Sequence, residues 1–485
     1  YGARRLIRIT HGHGSYIEYK LDTEGNRLSE NIYDSNSYLV KALSRTFDAY
    51  NRLDIVNQAN EVMDYRFSRN GTLAEEVNGN GAVKDYSYDV LKRLLATTQD
   101  KGGLDAVTRY KYDVADNLIS VIDPENAATE YVYDDLGNVL RRTSPDTGTA
   151  SFAYDGVGNR IARTDAKGRV HRYSYDNLNR LKTVDAPGTA DDITYVYDTC
   201  QQGTGRLCSA QSGDTSIYYS YDSFGNVTAH QQLTYSYDVA GRVSTISYPS
   251  GAIVAYGYDV AGKINKVDVM TEGGVSTLVS DVSYQPFGPV KSYLLGNGLQ
   301  QTHGHDQAYR LTGQLVPGVI DIEYPFYDAN GNLKTRADAQ TGMSSFDYDA
   351  LDRLTVGEDG FGAREYRYDL NGNRLRLDDG MITDYSYSAG TNRLLSETGW
   401  RYTTDLNGNV TGKITPVGEG SIYEYSSHNR LITASDRTVT PAKGKNKQPV
   451  VEDTVVGTYT YNALGQRASK DAIGVITKYL YGVEG

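Results

Sequence analysis

Cys200 and Cys208 are the chain's two cysteines and sit in Asp198-Thr-Cys-Gln-Gln-Gly-Thr-Gly-Arg-Leu-Cys208. Read as an enlarged turn between two strands, this spacing lets the thiols face each other, so a disulfide is geometrically allowed. It is the expected state in an oxidising compartment, and a reduced packing pair is expected in a reducing one. No further Cys or His pair is nearby in sequence, which argues against zinc. Two His-Gly-His strings, His11–His13 and His303–His305, would each place two imidazoles on one strand face, as a metal site needs. Gly257-Tyr-Asp-Val-Ala-Gly262-Lys263-Ile264 nearly matches a phosphate-binding loop. It fails at Ile264, where a hydroxyl should meet magnesium, and no helix is expected to follow. Asp328-Ala-Asn-Gly-Asn332, Asp369-Leu-Asn-Gly-Asn373 and Asp405-Leu-Asn-Gly-Asn409 begin like calcium loops. Their Gly falls at the fourth position instead of the sixth, and the Glu at position twelve is missing, so capped turns explain them better. Paired carboxylates for glycoside hydrolysis need one privileged pair. Here nearly every Asp shares one register, and none stands out. Neither Gly-x-Ser-x-Gly nor His-Glu-x-x-His occurs.

That register is a repeat. Tyr-x-Tyr-Asp occurs at Tyr86–Asp89, Tyr110–Asp113, Tyr131–Asp134, Tyr173–Asp176, Tyr195–Asp198, Tyr219–Asp222, Tyr235–Asp238, Tyr256–Asp259 and Tyr366–Asp369, with looser copies between them. Asp113, Asp134, Asp155 and Asp176 are 21 residues apart. His303-Gly-His305-Asp306, followed by Tyr309-Arg310-Leu311, falls on the same register as a variant repeat, and the Gly257 loop is another copy. Alternation of aromatic or β-branched with polar residues, as in Ile193-Thr-Tyr-Val-Tyr197, has the period of a strand. Asp followed three places later by Gly or Asn suits a turn in which the carboxylate caps N–H groups and the later residue takes positive φ. Each repeat is therefore one hairpin. More than twenty hairpins in series predict an all-β chain: a long antiparallel sheet that must coil or close, because wide flat sheets and open edges are disfavoured. The two Tyr of a strand share a face. A packing ladder explains them better than a stacking platform for sugars or bases, because they recur in nearly every repeat.

Composition narrows the classes. The chain has 485 residues, 43 Tyr against 8 Phe, 50 Gly, and a charge of −12 from 49 Lys plus Arg and 61 Asp plus Glu. The acidic balance argues against a nucleic-acid partner. No apolar run approaches the ~18 residues of a membrane helix. No charged-then-apolar leader follows Tyr1, so a mature or excised fragment is expected. Two stretches break the period: an irregular unit at about 268–300 and an exposed insertion at about 434–457, around Thr440-Pro-Ala-Lys443-Gly-Lys445-Asn-Lys447-Gln-Pro449.

Tyr-x-Tyr-Asp-x-x-Gly-Arg-Leu at a period of about 21 resembles the YD-repeat (Rhs) family over essentially the whole chain. That family takes in bacterial Rhs and wall-associated polymorphic toxins, the C components of insecticidal tripartite toxins, and the animal teneurins. Tyr284-Gln-Pro-Phe287-Gly288-Pro289, Gly296-Asn297-Gly298 and Tyr309-Arg310-Leu311 are similar to an irregular unit of bacterial Rhs cores. The resemblance implies about twenty YD hairpins spiralling into a hollow shell or barrel-like wall that encloses a C-terminal toxin. It implies secretion or bacterial cell-surface display, by type VI machinery or on the cell wall, in competition between bacteria. The cargo would be the main partner, with secretion machinery or a cell surface as another. The expected organisation is one YD shell region over residues 1–485. A delivery domain, a plug with its Asp-Pro-x-Gly autoproteolysis motif, and a toxin are expected to lie outside it. No cofactor, metal or catalytic residue is expected within these residues. Two alternatives stand beside the shell. One is a surface or secreted module binding carbohydrate or protein. The other is a polysaccharide-acting enzyme on a YD scaffold, with His303, His305, Tyr309 and Arg310 as its first candidates.

Overall fold

A computed structural model describes residues 5–188, 191–442 and 448–483. The expected all-β architecture is observed: 44 strands in one antiparallel sheet, with no α-helix among the described residues. Strands pair with their neighbours in the chain, as Val170–Tyr175 does with Leu181–Asp185 and that strand with Ile193–Tyr197.

One repeat shows why the sequence folds this way. Tyr173 pairs with Val184 and Ser174 with Thr183, but Tyr175 pairs with Leu181, so Lys182 is an extra residue on the return strand. The same shift precedes the second Tyr at Val132/Tyr133, Ala153/Tyr154, Val196/Tyr197 and Arg367/Tyr368. A bulge bends the strand and raises its twist, so every repeat adds curvature at the same place. Between the strands, the Asp176 carboxylate closes the turn. Its Oδ1 accepts the N–H groups of Leu178 (2.9 Å) and Arg180 (3.0 Å), and its Oδ2 accepts Arg180 Nε at 2.6 Å. Asn179 takes φ +59°, the conformation that Gly takes at the same position in other repeats.

The second Tyr of most pairs ties a hairpin to the one before it. The Tyr175 hydroxyl donates to the Arg160 carbonyl at 3.0 Å, Tyr197 to Leu181 at 2.9 Å, Tyr348 to Leu333 at 2.9 Å and Tyr425 to Val410 at 2.8 Å. Each acceptor opens or adjoins the preceding return strand. This explains why Tyr, and not Phe, dominates: the ring packs on the sheet while the hydroxyl satisfies a main-chain carbonyl beside the bulge.

The chain packs as two compact units, each made of two segments. The first unit holds Tyr1–Thr108 and Gly251–Ile382, the second Arg109–Ser250 and Thr383–Gly485. Buried apolar side chains are few for so long a chain. In the second unit Val184, Ile193, Ala210 and Ala463 form a core cluster, with Tyr173, Leu181, Tyr195 and Leu207 packed against it. The strands Leu431–Thr440 and Val450–Tyr461 form the longest hairpin, with exposed side chains from Val450 to Val455. Residues 443–447, at the centre of the expected insertion, lie outside the described residues.

Candidate functional site

Within each unit the turns of the later segment sit on turns of the earlier one. In the first unit, Arg310 closes its own turn through Asp306 Oδ2 (2.7 Å), then reaches Glu61 Oε1 at 2.7 Å and the Ala59 carbonyl at 3.3 Å. The next turn, Asp328–Asn332, meets Asn80. Asn80 N–H donates to Asn330 Oδ1 at 3.1 Å and its side-chain amide to Asp328 Oδ2 at 3.0 Å. These contacts bridge 248 to 251 residues of chain.

The second unit repeats the arrangement. Asp146 receives Asn392 N–H at 2.6 Å. Lys167 pairs with Asp405 at 3.1 Å, and Asn407 donates to Asp165 Oδ2 at 2.7 Å. Arg169 donates to the Ser426 carbonyl and to Asn429 Oδ1, both at 2.9 Å. Ser427 N–H donates to Asp191 Oδ2, and His428 Nε2 lies 2.7 Å from the Asp191 carbonyl. Burial alone would raise the Asp165 carboxyl, but Asn407 and Arg169 hold it below its ordinary value.

Two histidines are sealed into this contact. His171 is 1% exposed, both its ring nitrogens lack a hydrogen-bond partner among the described residues, and its ring lies 5.0 Å from that of His428. Burial, and then the neighbouring His428, Arg163 and Arg169, push it down to about 4 against the opposing pull of Asp165. His230, 2% exposed, approaches the Tyr481 carbonyl at 3.2 Å, and burial lowers it as well.

The residues singled out by sequence have these places. Cys200 and Cys208 are disulfide-bonded, with Cα atoms 5.4 Å apart. Gly203 lies between them, where a Cβ would overlap both sulfurs. His303 Nε2 lies 2.9 Å from the Gln301 amide, whose oxygen accepts the Tyr293 hydroxyl at 2.7 Å. His305 Nδ1 is 3.5 Å from the Gln285 amide, and its ring faces Tyr309 at 6.4 Å. The Tyr309 hydroxyl donates to the Pro286 carbonyl at 2.6 Å and is pushed up to about 12 by burial. Arg310 turns the other way, to Asp306 and Glu61, so the four enzyme candidates do not converge on one reacting atom. His11 stacks edge-on against Phe287 at 5.5 Å and lies 5.4 Å from His13. Among the described residues no group of three or more His, Cys, Asp or Glu is arranged to hold a metal ion. Lys263, the near match to a phosphate-loop lysine, donates to the Gly288 carbonyl at 2.9 Å. In the calcium-like loops the aspartates are occupied by their own turns: Asp328 accepts Asn330 and Asn332 N–H, and Asp405 accepts Asn407 and Asn409 N–H.

His171, His428, His230 and the Tyr-to-carbonyl bonds were not singled out by the sequence reading. The hydroxyl partners had a usable signal in the recurrence of the second Tyr at one register. The histidine contact had none, since its partners lie on segments far apart in the chain.

Comparison with known proteins follows the same pattern. Residues 75–203 match the teneurin YD-shell family model and residues 327–364 the RHS repeat. The toxin protein Tse5 of Pseudomonas aeruginosa is 25% identical over 64% of this chain and 26% of its own length. The tRNA nuclease WapA of Bacillus subtilis is 28% identical over 40% of this chain and 8% of its own length. Among solved structures, a Photorhabdus luminescens Tc holotoxin pore superposes with TM-score 0.76 at 16% identity, covering 94% of this chain and 27% of that one. A TcdB2–TccC3 complex superposes with TM-score 0.70 at 16% identity, covering 94% and 30%. The chain thus spans less than a third of each of these proteins. The family models, the 21-residue register and the sheet agree: this chain carries teneurin YD-shell and RHS repeats, at residues 75–203 and 327–364.

Proposed function

We propose that this chain is wall of an encapsulating shell, exported from or displayed by a bacterium, that encloses a C-terminal toxic cargo for delivery in competition between bacteria. The observation that carries the reading is the way the polar side chains are used. Turn carboxylates, arginines and tyrosine hydroxyls go into closing each hairpin, tying it to the previous one and joining the two segments of a unit. Such a wall acts by sterics, keeping cargo away from cytosolic partners and proteases. The likeness to Tc toxin structures and the partial match to Tse5 support the reading. Catalysis, in this view, belongs to the cargo.

The test is to purify the parent protein from its source, map peptides beyond Gly485 and add protease. A cleaved C-terminal fragment that co-purifies and resists digestion until the shell is denatured is the expected result. A parent with nothing enclosed would overturn the proposal and direct attention to glycan or protein binding.

A further inference from the structure

Among the described residues, in seven turns an aspartate and the arginine four residues later form a fixed pair, as in Asp48–Arg52, Asp176–Arg180 and Asp349–Arg353. Oδ2 receives the arginine Nε at 2.6–2.8 Å in all seven. Ser426-Ser427-His428-Asn429-Arg430 occupies the same register with serine in first place. The Ser426 hydroxyl takes over the role of Oδ1, accepting His428 N–H at 3.2 Å and Arg430 N–H at 3.4 Å. Among the described residues nothing takes over the role of Oδ2.

Arg430 keeps its guanidinium without that partner. Its side chain reaches the Asn462 carbonyl only at 3.5 Å and stands 5.8 Å over the Tyr461 ring, and among the described residues no carboxylate forms an ion pair with it. The nearby Asp191 carboxylate already receives Ser427 N–H at 2.7 Å. Burial lowers Arg430, with Tyr195, Asp191 and Tyr461 pulling the other way. A half-buried cation short of a counter-charge is costly, and a planar guanidinium is suited to take an oxyanion in a two-point contact. The space for one exists. Arg430 lines a cavity of about 540 Å³ with Asp191, Ser212, Thr215, His428 and Tyr461.

We propose that this cavity is a carboxylate-sized oxyanion site, in which a bound anion takes the place of the repeat's missing Oδ2 against Arg430. Asp191 and Asp214 in the wall favour a singly charged group over a polyanion. A carboxylate of a polypeptide and a small phosphate share this chemistry.

The experiment titrates acetate and, separately, inorganic phosphate into the intact protein at constant ionic strength, with chloride as the reference, and follows the thermal midpoint. A saturable rise beyond that of chloride is expected. Response to acetate, with or without phosphate, supports the site with a carboxylate source, and response to phosphate alone supports it with a phosphate source. Ser426→Asp restores the missing carboxylate. It is expected to raise the midpoint without added anion and to weaken anion binding at least tenfold. Arg430→Gln is expected to abolish the response. No rise beyond chloride in the native protein, or an unchanged response in Ser426→Asp, overturns the proposal, and Ser426→Asp decides the matter even if Arg430→Gln fails to fold.

Discussion

His171 and His428 lie ring to ring with centroids 5.0 Å apart, one on the strand Val170–Tyr175 and the other on a turn of the opposing segment. Arg163, Asp165 and Arg169 are the other charged groups acting on His171. A proton added here would enter a buried site beside a second imidazole and two guanidinium groups, with one carboxylate in opposition. The folded protein therefore holds His171 neutral.

The pH dependence follows with a definite sign. An unfolded His titrates near 6.5, and the folded one is held at about 4. Below about 6.5 the unfolded chain binds a proton that the folded chain refuses, so stability is full above that pH and falls as pH drops toward 4. The loss expected from His171 is on the order of 2 kcal/mol across that window. His171→Phe keeps a ring of similar size and removes the titration. Chemical denaturation at pH 7.5, 6 and 5 should show a shallower loss for the variant, and identical slopes would refute the assignment.

Gly79 tests the join in the first unit. A Cβ there would overlap the carbonyl oxygen of Ala329, a backbone atom that cannot swing aside. Gly79→Ala should displace the Asp328–Asn332 turn from Asn80 and cost about 1–3 kcal/mol, in the range of an overpacked contact. Gly81, only two residues on, has open space at its Cβ but φ +86°. Its Ala variant should be destabilised through backbone strain instead, without loosening the join. Hydrogen exchange at Asn80, whose N–H donates across the join to Asn330 Oδ1, distinguishes the two: faster exchange is expected in Gly79→Ala and not in Gly81→Ala.

The tyrosine hydroxyls give a prediction about additivity. Tyr175→Phe and Tyr348→Phe each delete one bond to a main-chain carbonyl, at 3.0 and 2.9 Å. Each should cost about 1 kcal/mol. The two sites belong to different units and share no partner, so the double variant should lose the sum of the two. A single Phe substitution without effect in urea denaturation would mean that the carbonyl is satisfied by solvent.

Much of this architecture was legible because it is local. Strand alternation, Asp-capped turns and positive φ at Gly or Asn depend on residues within five positions of one another, and the repeat writes them many times over. Asp176, Asn179 and Arg180 do in the structure what their spacing implies. What the sequence hides is long-range. Nothing adjacent to His171 announces His428, and nothing near Glu61 announces Arg310. Those contacts depend on how far the chain travels before its segments meet, which accumulates from the twist of many hairpins. The bulge before the second Tyr was also out of reach, because a single extra residue on the return strand leaves the alternation of its partner intact.

The Cys200–Cys208 bond closes a short loop within one enlarged turn. In the chain-entropy account a loop of this length constrains the unfolded state by about 2–3 kcal/mol. Cys200→Ala/Cys208→Ala should therefore lower stability by that amount or less. The change should be confined to the turn after Tyr197, since the strand pair Ile193–Tyr197 and Leu207–Ser212 is held by its own ladder. Reduction of the native protein should reproduce the loss, while the double variant should be indifferent to reductant. We further propose that the bond forms in the exported protein and is absent from the same chain kept in a reducing cytosol. Thiol labelling of the two pools with mass readout checks this: two labelled cysteines from the cytosolic pool and none from the exported one are expected, and labelling of both would place the thiols outside any structural role.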